Sequence, residues 1–423
     1  MKLNKLFGII GSVHVPSSLI AAQAGTDGGS PAEKRLEWLR SQLIGRDLQF
    51  DTCFGKRLLT YADHTASGRC LRYIEEYITQ QVLPFYDHQN GPRGEGIHKE
   101  VRWGLPRGCS HLCGSGATAA IKRLQEVMGI AVPANLRSQV IENLREEERW
   151  VVFVGPFEHH SNLLSWRQSI AEVVEIGIDA DGLVDMEALE LQLASMKYSN
   201  RPKLGSFSAC SNVTGIIADT RALSRLLHKY GAYACFDFAT SGPYVEIDMR
   251  SREEEGYDAI FLSPHKFPGG PGSPGILVMH EALYLAGSFP PLPVEVVSLL
   301  MLMDSMPRKQ VGYEPIDLHE TIYMKMVMER SLKPPVDPSS WKSKSKEAEL
   351  ILSFLVFSRD KLLHGGLAKT AKPSIRNPVG GGSSGCPYGH RLLGVEESSP
   401  SHSAIEKGYN GLKPGWMSQL FIT

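Results

Sequence analysis

The sequence predicts an α/β fold whose mostly parallel sheet is sandwiched by helices. Compact apolar runs recur through the central third at Trp150–Val154, Glu172–Ile178, Leu204–Ala209, Ala232–Phe238, Ala259–Ser263 and Gly275–Met279. Segments of helical period lie between them, notably Ala117–Met128, Leu136–Glu148, Met186–Met196 and Thr220–Tyr230. Short strands that are apolar on both faces need cover on both faces, which is the signature of a buried parallel sheet. Ligands of such sheets sit beyond the carboxyl ends of the strands, so functional side chains are expected just after the apolar runs.

Three parts are expected along the chain. Residues 1–31 read as a disordered leader: Lys2 and Lys5 precede a weakly apolar run that His14, Pro16, Ser17 and Ser18 interrupt, which fits a signal peptide poorly. Residues 32–285 form the large domain, opening on a short amphipathic helix, Ala32–Ile44. Residues 286–423 form a smaller carboxyl-terminal α/β domain, cut up by Pro290–Pro293, Pro334–Pro338 and the glycine and serine of Gly380–Gly385.

The 45 Lys and Arg nearly balance the 46 Asp and Glu. No strong field therefore favours nucleic acid or an anionic membrane, and a small-molecule partner is expected. No apolar stretch is long enough to cross a bilayer. Seven scattered cysteines in 423 residues point to a reducing compartment, so a cytoplasmic location is expected, with an organelle-targeting leader as the alternative. Cys109 and Cys113 lack a second cluster of ligands, so no metal site is assigned.

Five sites carry chemistry. The run Ser263-Pro264-His265-Lys266 follows an apolar strand and enters the turn Pro268–Gly272; a lysine held there is desolvated and nucleophilic, although a surface lysine has the same letters. Asp237 ends the strand Ala232–Phe238, where a buried carboxylate needs a partner. A protonated pyridine nitrogen suits it, and so does a capping role in the next loop. Gly114-Ser115-Gly116-Ala117-Thr118 opens a helix whose amides and dipole favour a phosphate. The same letters satisfy a dinucleotide fingerprint, but the segment before them is polar, and the acids that follow, Glu142–Glu148, read as helix. His159, in Glu158-His159-His160-Ser161-Asn162, is placed to stack on an aromatic ring or exchange protons, or is a structural histidine. Asn212, in Ser211-Asn212-Val213-Thr214-Gly215, either donates an amide hydrogen bond to a ligand oxygen or forms a turn. Together the five suit the parts of a phosphorylated aromatic aldehyde.

In this order the motifs resemble those of fold-type I pyridoxal phosphate enzymes of the class V aminotransferase and cysteine desulfurase superfamily. Tyr61-Ala62-Asp63-His64-Thr65-Ala66-Ser67 resembles the family's opening segment, and the Ser-Pro-His-Lys run its Ser-Gly-His-Lys motif. The resemblance covers Leu58 to Met279 and returns in patches. It makes Lys266 the Schiff-base lysine, His159 the ring-stacking residue, Asp237 the partner of the pyridine nitrogen and Asn212 that of the ring hydroxyl. It gives the phosphate to Gly116, Ala117, Thr118, Ser263 and His265, and places Thr240 where the family often has Gln. It also implies an amino-acid substrate, a homodimer and a sulfur acceptor protein.

Departures lie toward the end. The segment by which a neighbouring subunit helps hold the phosphate is not recognisable between Ser288 and Glu347. In the loop Gly380–His390 the expected sulfur-carrying position falls on Ser383 or Ser384, leaving Cys386 as the candidate thiol. Ser418 stands where the family has the arginine that grips the substrate carboxylate. The expected function is thus cysteine desulfuration, with another class V reaction (transamination or lyase chemistry) or a cofactor-binding scaffold of little turnover as the alternatives.

Overall fold

The computed structural model describes residues 31–52, 55–59, 61, 63–83, 108–114, 116–250 and 253–284, with short strands between 351 and 420. Residues 1–30 of the expected leader, Cys386, Ser383 and Ser384 lie outside the described residues.

The chain begins with helix α1 (Pro31–Gln42), the hairpin β1 (Gln49–Thr52) and β2 (Gly55–Leu58), and helix α2 (Arg72–Tyr77). Leu39 of α1 is buried with Leu71 and Ile74, and Trp38 tilts against Tyr73 at 5.1 Å, which ties the start of the chain to α2.

The central sheet has seven strands: β3 (Gly108–Cys113), β4 (Val151–Val154), β5 (Glu172–Glu175), β6 (Lys203–Ser208), β7 (Ala232–Asp237), β8 (Ala259–Leu262) and β9 (Gly275–His280). Their order is β3-β9-β8-β7-β6-β4-β5, and only β9 runs antiparallel to its neighbours. The strands other than β9 therefore end on one edge.

Helices α3 (Gly116–Val127), α4 (Arg137–Asn143), α5 (His160–Gln168), α6 (Met186–Leu193) and α7 (Thr220–Lys229) join the strands. Alternate strand residues feed two cores. Val151, Phe153, Phe236, Ile260 and Leu262 meet Leu189, Leu193, Leu223 and Leu227 of α6 and α7. Val152, Val154, Cys235, Ala259 and Phe261 meet Ala120, Ile121, Leu124, Leu163 and Trp166 of α3 and α5. Burial on both faces is why the strands read as unbroken apolar runs. Asp185 and Asp219 start α6 and α7 by accepting from Ala188 N and Ala222 N at 2.8 and 2.9 Å.

The six expected strands are present, with ends moved by one to three residues. One reading is corrected: the polar segment before Gly114 is a strand, β3, pairing along its whole length with β9. Its polar letters reflect a place at the sheet's edge, where one side has no neighbouring strand among the described residues. The expected helix over 136–148 stops at Asn143; Leu144 is extended, and Glu146–Glu148 forms a separate turn. Helix α5 was not expected. In the carboxyl-terminal part, β10 (Ile351–Phe354), β13 (Gly380–Gly382) and β14 (Trp416–Leu420) form an antiparallel sheet, and β11 (Phe357–Ser358) pairs with β12 (Lys361–Leu362). Ser418 lies in β14 opposite Ser353 and Gly380. No helix among the described residues is long and apolar enough to cross a membrane.

Candidate active site

All five expected segments meet at the edge where the parallel strands end. After β8, residues Pro264–Lys266 make a single tight turn closed by Lys266 N donating to Ser263 O at 2.9 Å. Burial lowers the Lys266 ammonium below the ordinary lysine value, and the charges of Asp237, Cys210 and Asp63 draw it back up. The amine is therefore easier to deprotonate than a surface lysine.

Asp237, the last residue of β7, is 5% exposed. Its Oδ1 accepts from Ala239 N at 2.9 Å. Burial raises its carboxyl, while the Ala239 amide and Lys266 oppose the rise. Thr240 follows, buried in the next turn.

The amino end of α3 approaches the lysine turn from the other side. Ala117 N donates to Ser263 Oγ at 2.9 Å. Gly116 has φ +57°, and a Cβ there would lie 2.8 Å from His265 Cε1 and 3.0 Å from Ser263 Oγ. Only glycine allows both the left-handed backbone and this close approach. His265 is held below the usual histidine value by burial and then by Lys266.

His159 caps α5. Its Nδ1 accepts from Ser161 N at 3.1 Å, which leaves the ring proton on Nε2. Burial, then Lys266 and His160, hold its pKa down to about 4, so the ring is neutral at physiological pH. Ser161 Oγ lies 2.9 Å from the same Nδ1 and 2.6 Å from Thr118 Oγ1. A hydroxyl chain thus joins the imidazole to the opening turn of α3. Asn212 is half-buried in the turn after β6, which Ser211 Oγ organises by accepting from Val213 N and Thr214 N at 3.3 and 3.1 Å.

Several residues beside the lysine turn were given no role of their own in the sequence reading. Ser67 and Gly68 dock on the lysine turn: Gly68 N and Ser67 Oγ donate to His265 O at 2.8 and 3.3 Å. Asp63 there acts on Lys266, and His64 beside it is 5% exposed, with neither ring nitrogen hydrogen-bonded among the described residues. The resemblance of 61–67 to a family opening was the available clue. Ser161 was quoted inside a motif and given no role.

A desolvated lysine, a buried carboxyl and a helix amino terminus thus lie together at one edge of an α/β sheet. Residues 132–292 match the aminotransferase class-V family model. A probable cysteine desulfurase of Halalkalibacterium halodurans is 24% identical over 253 residues, 54% of this chain and 57% of that one. One of Pyrococcus abyssi is 30% identical over 150 residues, 36% of each chain. The chain thus spans from about a third to just over half of the length of these curated relatives. Among solved structures, the apo cysteine desulfurase of Thermococcus onnurineus matches with TM-score 0.61 and 16% identity over 86% of this chain and 90% of that one. A NifS-like protein of Rickettsia africae matches with TM-score 0.59 and 16% identity over 86% and 94%. These likenesses extend the shared fold well past the family match. Residues 132–292 thus resemble the class V aminotransferases, and the chain shares the fold of the cysteine desulfurase and NifS-like structures.

Proposed function

We propose that this chain holds pyridoxal phosphate on Lys266 and removes sulfur from cysteine, or from a closely related amino acid. The observation that carries the reading is the desolvated Lys266 facing buried Asp237, with the amino end of α3 on one side and the neutral His159 ring on the other.

The residues fit the group. The Lys266 amine would hold its aldehyde carbon, and Asp237 would keep a proton on its ring nitrogen. The His159 ring would cover one face of it, and Asn212 and Thr240, which follow β6 and β7, would meet the ring oxygen. The amides of Gly116–Thr118, the Thr118 and Ser263 hydroxyls and His265 would take the phosphate, where the helix dipole favours an anion. When bound, the group supplies an electron sink for a bond breaking at the substrate's α-carbon. Lys266, easily deprotonated, would take and return the α-proton at Nζ. His159, with Nδ1 committed to the Ser161 amide, would offer a hydrogen bond from Nε2. Cys386 is the candidate sulfur carrier, a homodimer the expected assembly and a protein the expected sulfur acceptor. A reducing cytoplasmic setting suits such a thiol.

A scaffold that binds the cofactor with little turnover is the second reading, favoured by Ser418. Serine cannot make the two-pronged contact of a guanidinium to a carboxylate. Purified protein mixed with pyridoxal phosphate should gain a visible absorption band that Lys266→Ala abolishes. Added cysteine should then yield alanine and persulfide-level sulfur, which an added dithiol reductant releases as sulfide while it is oxidised to the disulfide. A band without products favours the scaffold, and a band that survives Lys266→Ala contradicts the assignment.

A further inference from the structure

Glu158 is a buried ionisable group to which the cofactor reading gives no task. It precedes His159, is 1% exposed, and accepts four hydrogen bonds. Oε1 takes Gly155 N at 3.2 Å and Ser208 N at 2.8 Å. Oε2 takes Ser208 Oγ at 2.8 Å and the Asn162 side-chain amide. Burial pushes the carboxyl up to about 7, and the charge of Asp237 pushes the same way.

The four donors come from different parts of the site. Gly155 begins the turn that presents His159, and Asn162 lies in the first turn of α5. Ser208 ends β6, four residues before Asn212, and pairs across the sheet with Asp237. Asn162 is itself locked: its Oδ1 accepts from Trp166 Nε1 at 2.8 Å and Ser206 Oγ at 2.7 Å. One carboxyl therefore joins the ends of β4 and β6 beside the end of β7. An apolar residue in its place would leave all four of these donors without this acceptor.

We propose that Glu158 is a positioning residue of the cofactor site, clamping the His159 turn to the end of β6 so that the imidazole and Asn212 face the bound ring at fixed places. The proposal rests on the cofactor reading and goes beyond it. Glu158→Gln is the informative change. It keeps the side chain's shape and the contacts at one oxygen, but it sets an amide nitrogen against the locked Asn162 amide.

The test titrates purified protein with pyridoxal phosphate and records the dissociation constant and the visible circular dichroism of the bound group, which reports how firmly it is oriented. Thermal midpoints without cofactor separate loss of fold from loss of position. Glu158→Gln should leave that midpoint within a few degrees of wild type, weaken binding about tenfold and reduce the dichroism per molecule bound. If the clamp acts through His159, adding Glu158→Gln to His159→Ala should cost far less than it does alone. Unchanged affinity and dichroism in Glu158→Gln, or full additivity of the two changes, overturns the role of Glu158 while leaving the cofactor reading intact. No binding by the wild-type chain overturns both.

Discussion

His64 illustrates how burial sets a protonation state here. Its ring nitrogens have no hydrogen-bond partner among the described residues, and burial, with Arg69 nearby, holds its pKa down to about 4. The unfolded imidazole titrates near 6.5, so in the window between the two values the unfolded chain binds a proton that the folded chain refuses. The contribution of neutral His64 is complete above pH 6.5 and is lost as pH falls toward 4. Replacing it by leucine should flatten the pH dependence of stability in that window by up to about 1.4 kcal/mol per pH unit. Denaturant melts of both proteins at pH 4.5, 5.5 and 6.5 check this, and parallel pH slopes contradict it. At the residue scale the site was partly legible. Lys266 and Asp237 end apolar strands, and such punctuation is a local signal. The contact of Glu158 with Ser208 spans 50 residues and leaves no spacing to read. The tautomer of His159 follows from a backbone donor that only the folded capping turn supplies.

Among the elements, the buried strands were legible because both faces are apolar, and their ends moved little. Strand β3 was not, because its letters are those of an edge, and α5 was not, because its buried set, Asn162, Leu163 and Trp166, includes a polar residue whose partners lie elsewhere. The amino end of α3 depends on Gly116. A methyl group there meets His265 and Ser263 in a backbone conformation that costs an L-residue about 1–2 kcal/mol. Gly116→Ala should weaken pyridoxal phosphate binding at least tenfold and weaken pyridoxal binding much less, since only the phosphate uses this turn. Equal losses for the two ligands would show that the turn does not hold the phosphate.

At the scale of the whole molecule, the sheet does the gathering. Because β4, β6, β7 and β8 are parallel and β3 shares their direction, five chemically distinct loops share one edge without any long excursion of the chain. Chain order thus translates directly into a site, and that is why motif order was informative before any geometry. The assembly is less legible, since the segment expected to cross between subunits shows no recognisable motif. Light scattering at about 10 µM, a concentration that populates dimers with micromolar or tighter dissociation constants, should give twice the mass of one chain; the mass of one chain would contradict a stable dimer. The central claim, that Lys266 carries the cofactor, is tested most directly by covalent trapping. The protein is incubated with pyridoxal phosphate, reduced with borohydride, digested, and its peptides are weighed. The account predicts one phosphopyridoxyl adduct, on Lys266; an adduct confined to other lysines, or none, would contradict it.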